Sequence, residues 1–192
     1  AVYNTAKLLE QNGHHIEEYQ LPIPASFVDD FSHYWGFLSF MLKLSGKQLF
    51  EKDFNKSELD HLTHGLAKLY QNNFYKTPFF MYRLKKIQSI YSNIFNQYDV
   101  VLSPVLAHIS PKVGYLSPQL EFDTLFERLR QYVTFTPIQN IAGAPAISLP
   151  MGLTAQDQRP IGIQLSADIG NERVLLELAY ELEQSQPFAT IY

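Results

Sequence analysis

Apolar residues recur along this chain in two rhythms, one of helices and one of strands. From about Ala25, the residues Phe27, Phe31, Tyr34, Leu38 and Met41 return at steps of three and four, which marks one face of an amphipathic helix. Residues 43–55 read as a looser connection. Residues 57–72 read as a second helix, with Ser57 as its N-cap and Leu59, Leu62, Leu66 and Leu69 along one side. Past Pro78 a third helix carries Met81, Leu84, Ile87, Tyr91, Ile94 and Phe95. Residues 121–132 form a shorter one around Phe122, Leu125, Phe126 and Leu129, and residues 171–184 form a closing helix. At the other end, residues 1–11 place Val2, Ala6 and Leu9 on one helical side, with Gly13 as the stop.

The strand rhythm is briefer. Residues 14–21, 99–102, 146–149 and 160–165 are short runs bounded by Pro or Gly, too short for helices. The 146–149 run, between Pro145 and Pro150, suits a strand buried on both faces. A polar loop over 154–159 separates it from the 160–165 run, and the two are expected as neighbours or near-neighbours in one sheet that also holds 100–102. Gly143, Gly152 and Gly162 stand where a Cβ would obstruct a turn or a close backbone approach. A helix that leads directly into a strand is the second half of a βαβ crossover whose first strand is not in this sequence. The expected class is therefore α/β, with part of a mixed β-sheet flanked by helices. The helical segment of about 25–96 is inserted between sheet strands, and with no repeats or linkers, residues 1–192 read as one incomplete domain.

Composition narrows the function classes. At 192 residues and 46% hydrophobic content the chain can bury one sizeable core, and 14 Phe with 12 Tyr point to a large apolar interior or cleft. A net charge of −4 gives no electrostatic reason to expect nucleic acid or an anionic membrane. The absence of cysteine excludes disulfides, thiolate metal sites and a cysteine nucleophile, and fits a reducing cytoplasm. No apolar run has the length of a membrane span.

Candidate nucleophiles are Ser103 and Ser148, but neither lies in a Gly-x-Ser-x-Gly elbow. Ser148 reads as a small buried packing residue whose hydroxyl bonds a neighbouring carbonyl, and Ser103 as a strand-end residue whose loop faces a cleft. His61 and His64, at i and i+3 with Glu58 and Asp60 nearby, supply two ligands without a third, so a solvated helix face is the simpler reading. His14 and His15 sit at an exposed helix-to-strand turn. No metal is expected. The helix bearing Phe27, Phe31, Tyr34, Trp35, Phe37 and Phe40 spreads aromatics around more than one side, either because it is buried on several sides or because one face covers an apolar cleft.

The stretch from Asn140 to Gln164 carries a further message. Asn140, Gly143, Pro145, Ala146, Ser148, Pro150, Gly152, Pro160, Gly162 and Gln164, followed by Glu172, Leu175, Leu176, Ala179 and Glu183, resemble the C-terminal end of the amidase signature family. These are amidohydrolases with a Ser–cis-Ser–Lys triad. The segment from Ala6 to Glu18 and the run from Tyr98 to Pro104 resemble other parts of that family. One departure is Pro137, three residues before Asn140 with Ile138 and Gln139 between, where the family usually has two. The resemblance implies an amidase that hydrolyses a carboxamide through a serine acyl-enzyme and needs no cofactor. It also implies that all catalytic residues lie upstream, since neither the Lys segment nor the Gly/Ser-rich segment is found here. This chain is then the C-terminal portion, and the N-terminal catalytic half of the same protein is its partner, alongside a small-molecule amide and a homo-oligomeric contact. It would contribute core strands and one wall of the pocket, with Phe31, Trp35, Val105, Gln139 and Asn140 as substrate-binding residues. By itself it is expected to be inactive. Two rival readings are an amidotransferase component of the same family and a non-catalytic binding or scaffold module that keeps the fold.

Overall fold

The computed structural model of the chain describes residues 1–188. It divides into two compact units interleaved in sequence. The first comprises Ala1–Ile23 and Ile87–Ser110 with the described chain from Tyr132 onward, and the second comprises Pro24–Lys86 and Pro111–Gln131.

The first unit is built on three strands, β1 (Val101–Pro104), β2 (Ala146–Leu153) and β3 (Pro160–Ser166), in the spatial order β1-β3-β2. The two predicted apolar runs form a hairpin, with the 100–102 run on the other side of β3. All described pairings are antiparallel, so the parallel part of the expected mixed sheet is not among them. Register sorts the side chains by face, because cross-strand partners point the same way. Leu102, Leu165 and Ile147 form one row and Pro104, Ile163 and Leu149 the next. The opposite face carries Val101, Ser166 and Ala146 in one row and Ser103, Gln164 and Ser148 in the other. Helices α1 (Val2–Gln11) and α7 (Glu172–Ser185) supply Leu9, Leu175 and Leu182 to the core of Leu149, Met151, Ile163 and Leu165. The other face is polar.

That arrangement corrects the reading of 146–149 as buried on both faces. Ala146 and Ser148 are exposed while Leu149 and Met151 are buried, the alternation of an edge strand packed on one side. Register slips between Leu149 and Gly152, where β2 fits two residues against one of β3. Pro150, which has no N–H to offer a ladder, sits in that bulge. Across from it, a Cβ on Gly162 would stand 3.2 Å from both Ser148 Oγ and Val105 Cγ2.

The end of α1 follows its sequence. Gly13 at φ +98° takes the left-handed position, its N–H reaches Glu10 O, and His14 N–H reaches Leu9 O, both at 3.0 Å. The expected strand over 14–21 does not follow. Among the described residues the ladder bonds of β1 go to β3. This segment is held by side chains instead, with His14 against Glu181 at 3.0 Å, and Glu17 accepting from Tyr98 at 2.8 Å.

The second unit contains α2 (Phe27–Leu49), α3 (His61–Asn72), α5 (Phe122–Tyr132) and most of α4 (Thr77–Ser92), whose last turns belong to the first unit. Helix α2 runs through the expected loose connection as far as Leu49. The N-cap of α3 is Asp60, not Ser57. Its carboxylate accepts from Thr63 N at 2.9 Å and Thr63 Oγ1 at 2.7 Å, and Ser57 lies in a preceding 3₁₀ turn. Burial opposes the Asp60 carboxylate, but the Thr63 bonds outweigh it and lower its pKa.

The aromatic stripe of α2 is not its buried line. Phe27 is buried, but Phe31, Tyr34 and Met41 are half-buried and Leu38 is exposed, whereas Ser32, Gly36, Ser39 and Gly46 are sealed. A Cβ on Gly36 would stand 2.8 Å from Leu66 O of α3, so the two helices close on small residues and large rings are displaced to the flanks. Asp30, also buried, accepts two bonds from Arg83, at 2.7 Å and 2.5 Å. No helix among the described residues is long and apolar enough to cross a membrane.

Candidate functional site

The polar face of the sheet draws its order from a short helix that sequence periodicity does not mark, α6 (Pro137–Ala142). Pro137 opens it, and Gly143 closes it in the left-handed region at φ +71°. The helix turns Gln139 inward, where it is 6% exposed, and leaves Asn140 outside. Gln164, at the centre of β3, is also 6% exposed.

A chain of hydrogen bonds joins these groups. Gln139 donates its amide to the carbonyls of Phe135 at 3.0 Å and Thr136 at 3.2 Å. Its oxygen therefore points the other way, accepting from Tyr91 OH at 3.3 Å and from Gln164 Nε2 at 2.9 Å. Tyr91 thus keeps Ser166 Oγ, 2.7 Å away, as the donor to its own oxygen. Gln164 Nε2 makes a longer contact to Ser103 Oγ at 3.4 Å, and Ser103 donates to Pro104 O at 3.1 Å. Burial raises the Tyr91 pKa, against the lowering effect of the bond from Ser166, so the phenol stays protonated at neutral pH. This is a neutral hydrogen-bonded network, of the kind that fixes side chains in one arrangement. It contains no group that could take a proton from Ser103.

Next to it lies an open recess of about 360 Å³, lined by Thr136, Gln139, Asn140, Ala146 and Gln164 among others. Of the substrate-binding residues expected from sequence, Gln139 and Asn140 meet at this recess, and Asn140 Nδ2 is tied to Thr136 O at 3.0 Å. Val105 packs over Gly162 beside Ser148. Phe31 and Trp35 lie in the second unit, their rings 6.2 Å apart, with Trp35 a further 6.1 Å from Phe126 of α5. Both are half-buried, so each keeps a face available.

Two corrections concern the serines and the network. Ser148 is an exposed residue of the polar face, not a buried packing one. Gln164 and Tyr91 were not among the expected site residues. Gln164 could have been found from its place in a strand whose other residues are apolar or small, since a buried amide there requires partners. Tyr91 looks in sequence like any member of an apolar stripe. The histidines take other roles: His61 is exposed and His64 half-buried, and His15 pairs with Glu17 at 3.1 Å.

Comparison with known proteins gives a consistent result. The family described as Amidase matches residues 1–176. The putative amidase AmiC of Mycobacterium tuberculosis is 46% identical over 188 residues, which make up 97% of this chain and 39% of that protein. A glutamyl-tRNA(Gln) amidotransferase component of Alkaliphilus metalliredigens is 30% identical over 208 residues, covering 96% of this chain and 40% of that one. The solved structure of 6-aminohexanoate cyclic dimer hydrolase complexed with substrate superposes with a TM-score of 0.81 at 22% identity, covering 97% of this chain and 41% of that chain. At that identity the likeness speaks for the fold. The chain thus spans about two fifths of the length of the relatives it matches.

Proposed function

The chain belongs to the Amidase family, and from that premise we propose that the complete protein hydrolyses a carboxamide C–N bond through a serine acyl-enzyme. The catalytic residues lie upstream of this chain, in the N-terminal half that is its partner. This chain contributes core strands and substrate-binding residues, Gln139, Asn140 and Val105 on the polar face of the first unit and, separately, Phe31 and Trp35 on α2 of the second.

One observation carries this reading. The serine best placed on the polar face, Ser103, bonds only Pro104 O and the Gln164 amide among the described residues, and neither can act as a base. A serine hydroxyl is a weak nucleophile until a neighbouring group takes its proton, so acylation needs a nucleophile from elsewhere. The neutral, oriented face is suited to hold a substrate in place, not to attack it. The hydrolase reading is favoured over an amidotransferase component by the higher identity to the putative amidase, 46% against 30%.

The test is turnover by the complete protein of simple primary and secondary carboxamides, followed by release of ammonia or amine. A burst of amine ahead of acid release is expected for an acyl-enzyme. No turnover of any carboxamide would contradict the proposal.

A further inference from the structure

Resting on the reading of the polar face as a substrate wall, we propose that Gln164 is a specificity-determining residue. Its side-chain oxygen accepts a hydrogen bond from an N–H of the ligand, and Gln139 is the positioning residue that holds it in that role.

The argument is one of orientation. An amide side chain can present either its oxygen or its nitrogen, and its neighbours decide which. Two backbone carbonyls, of Phe135 and Thr136, can only accept, so Gln139 must turn its NH₂ to them and its oxygen away. That oxygen can only accept, so Gln164 must turn its Nε2 to Gln139, at 2.9 Å. Ser103 lies on the same nitrogen side. The choice made by the α6 backbone is thereby passed through two side chains and leaves Gln164 Oε1 on the opposite side.

There the oxygen accepts no bond from a described residue. It is also not sealed away from solvent without a bond, as Thr5 Oγ1 is. A side chain 6% exposed whose oxygen remains accessible opens onto the recess that it lines. Asn140 repeats the arrangement at the rim, with its nitrogen committed to Thr136 O and its own oxygen unbonded among the described residues. The recess therefore offers carbonyl acceptors. No charged side chain lines it, which disfavours a carboxylate or an ammonium ion. The matching ligand is neutral and carries an N–H, as a primary or secondary amide does and a tertiary amide does not. A polar group that loses its partner in a buried site discriminates strongly against the analogue that lacks the donor.

The test uses the complete protein and three probes whose S–N bond is not a carboxamide: benzenesulfonamide, its N-methyl analogue and its N,N-dimethyl analogue. Dissociation constants and the side-chain amide NMR signals of Gln164 are measured together. The first two probes should bind within about threefold of each other and shift the Gln164 signals, with the dimethyl probe about tenfold weaker, as one lost hydrogen bond predicts. Gln164→Leu should bind all three alike. Gln139→Leu should reduce the discrimination, because Gln164 loses the acceptor that orients its amide. Equal binding of all three to the unsubstituted protein, or binding that leaves the Gln164 signals unmoved, overturns the inference and needs no variant to fold. Absence of probe binding, as when another part of the complete protein fills the recess, overturns it as well. Turnover is a separate measurement. Donor-dependent binding without carboxamide hydrolysis would overturn the hydrolase reading alone.

Discussion

The two units of this chain solve the packing problem in opposite ways. In the sheet unit, large aliphatic side chains such as Ile163 and Leu165, both fully buried, fill the space between the sheet and two helices. In the helical unit a close helix–helix approach is made by what is missing, since Gly36 lets α2 close on Leu66 of α3. The first kind of core is sensitive to removal of atoms and the second to their addition. The difference also bears on chemistry. The sheet unit keeps a rigid, hydrogen-bonded polar face, and the helical unit keeps its aromatic rings half-exposed on the flanks of a small-residue seam.

Breaking each core in its own way should give the largest effects. In the complete protein, Leu165→Ala should destabilise by about 3–4 kcal/mol through the cavity it leaves, measured by denaturant unfolding. Gly36→Ala should cost about 2 kcal/mol, because the new methyl meets a backbone oxygen that cannot step aside. Leu38→Ala, on the stripe that periodicity marks but half-exposed in the structure, should cost under about 0.5 kcal/mol. If Leu38→Ala cost more than Gly36→Ala, the seam would not be the buried line.

Removing the Tyr91 hydroxyl probes the polar face. Tyr91→Phe takes away one bond given to Gln139 and one accepted from Ser166, a loss of about 1–2 kcal/mol at neutral pH. The pH dependence has a definite sign. The Tyr91 pKa is raised by burial, so its stabilising contribution is complete below the unfolded tyrosine value near 10 and falls as pH rises through the folded one. The variant should therefore lose less stability than the parent as pH rises above about 10, in urea midpoints taken across the alkaline range. An unchanged alkaline slope would mean that the phenol is not held protonated by its surroundings.

The sequence made the sheet unit readable because its signals are local. Pro and Gly bracket each short run and Gly13 ends α1 where the chain must turn, but the one-sided burial of the 146–149 run shows only once β3 lies beside it. The helical unit was less readable because helical periodicity ranks residues by size and hydrophobicity, while the seam selects for smallness. Ser32, Gly36 and Ser39 look like the polar side of α2 until α3 is set against them. The strand expected over 14–21 failed for a related reason: a ladder depends on a partner, and propensity alone does not supply one. Of the site, Gln139 and Asn140 were legible from the fixed residues around Asn140. Gln164 and Tyr91 became visible only when β3 and α4 were brought to α6.

A smaller effect would sharpen the comparison from the helical side. Trp35 is half-buried against Phe31 and Phe126. If it forms a pocket wall, Trp35→Ala in the complete protein should change the ratio of kcat/KM for bulky over small carboxamides more than it changes Tm. A core residue of that size would instead cost about 3–5 kcal/mol and leave the ratio alone.

The central claim is that the nucleophile lies outside this chain, and trapping it tests that directly. The complete protein is acylated with an activated ester, quenched, digested and mapped by mass spectrometry, alongside the Ser103→Ala/Ser148→Ala double variant. The account predicts an acyl adduct on a serine upstream of these 192 residues, with the same yield in the variant. An adduct on Ser103 or Ser148, lost in the folded double variant, would contradict it.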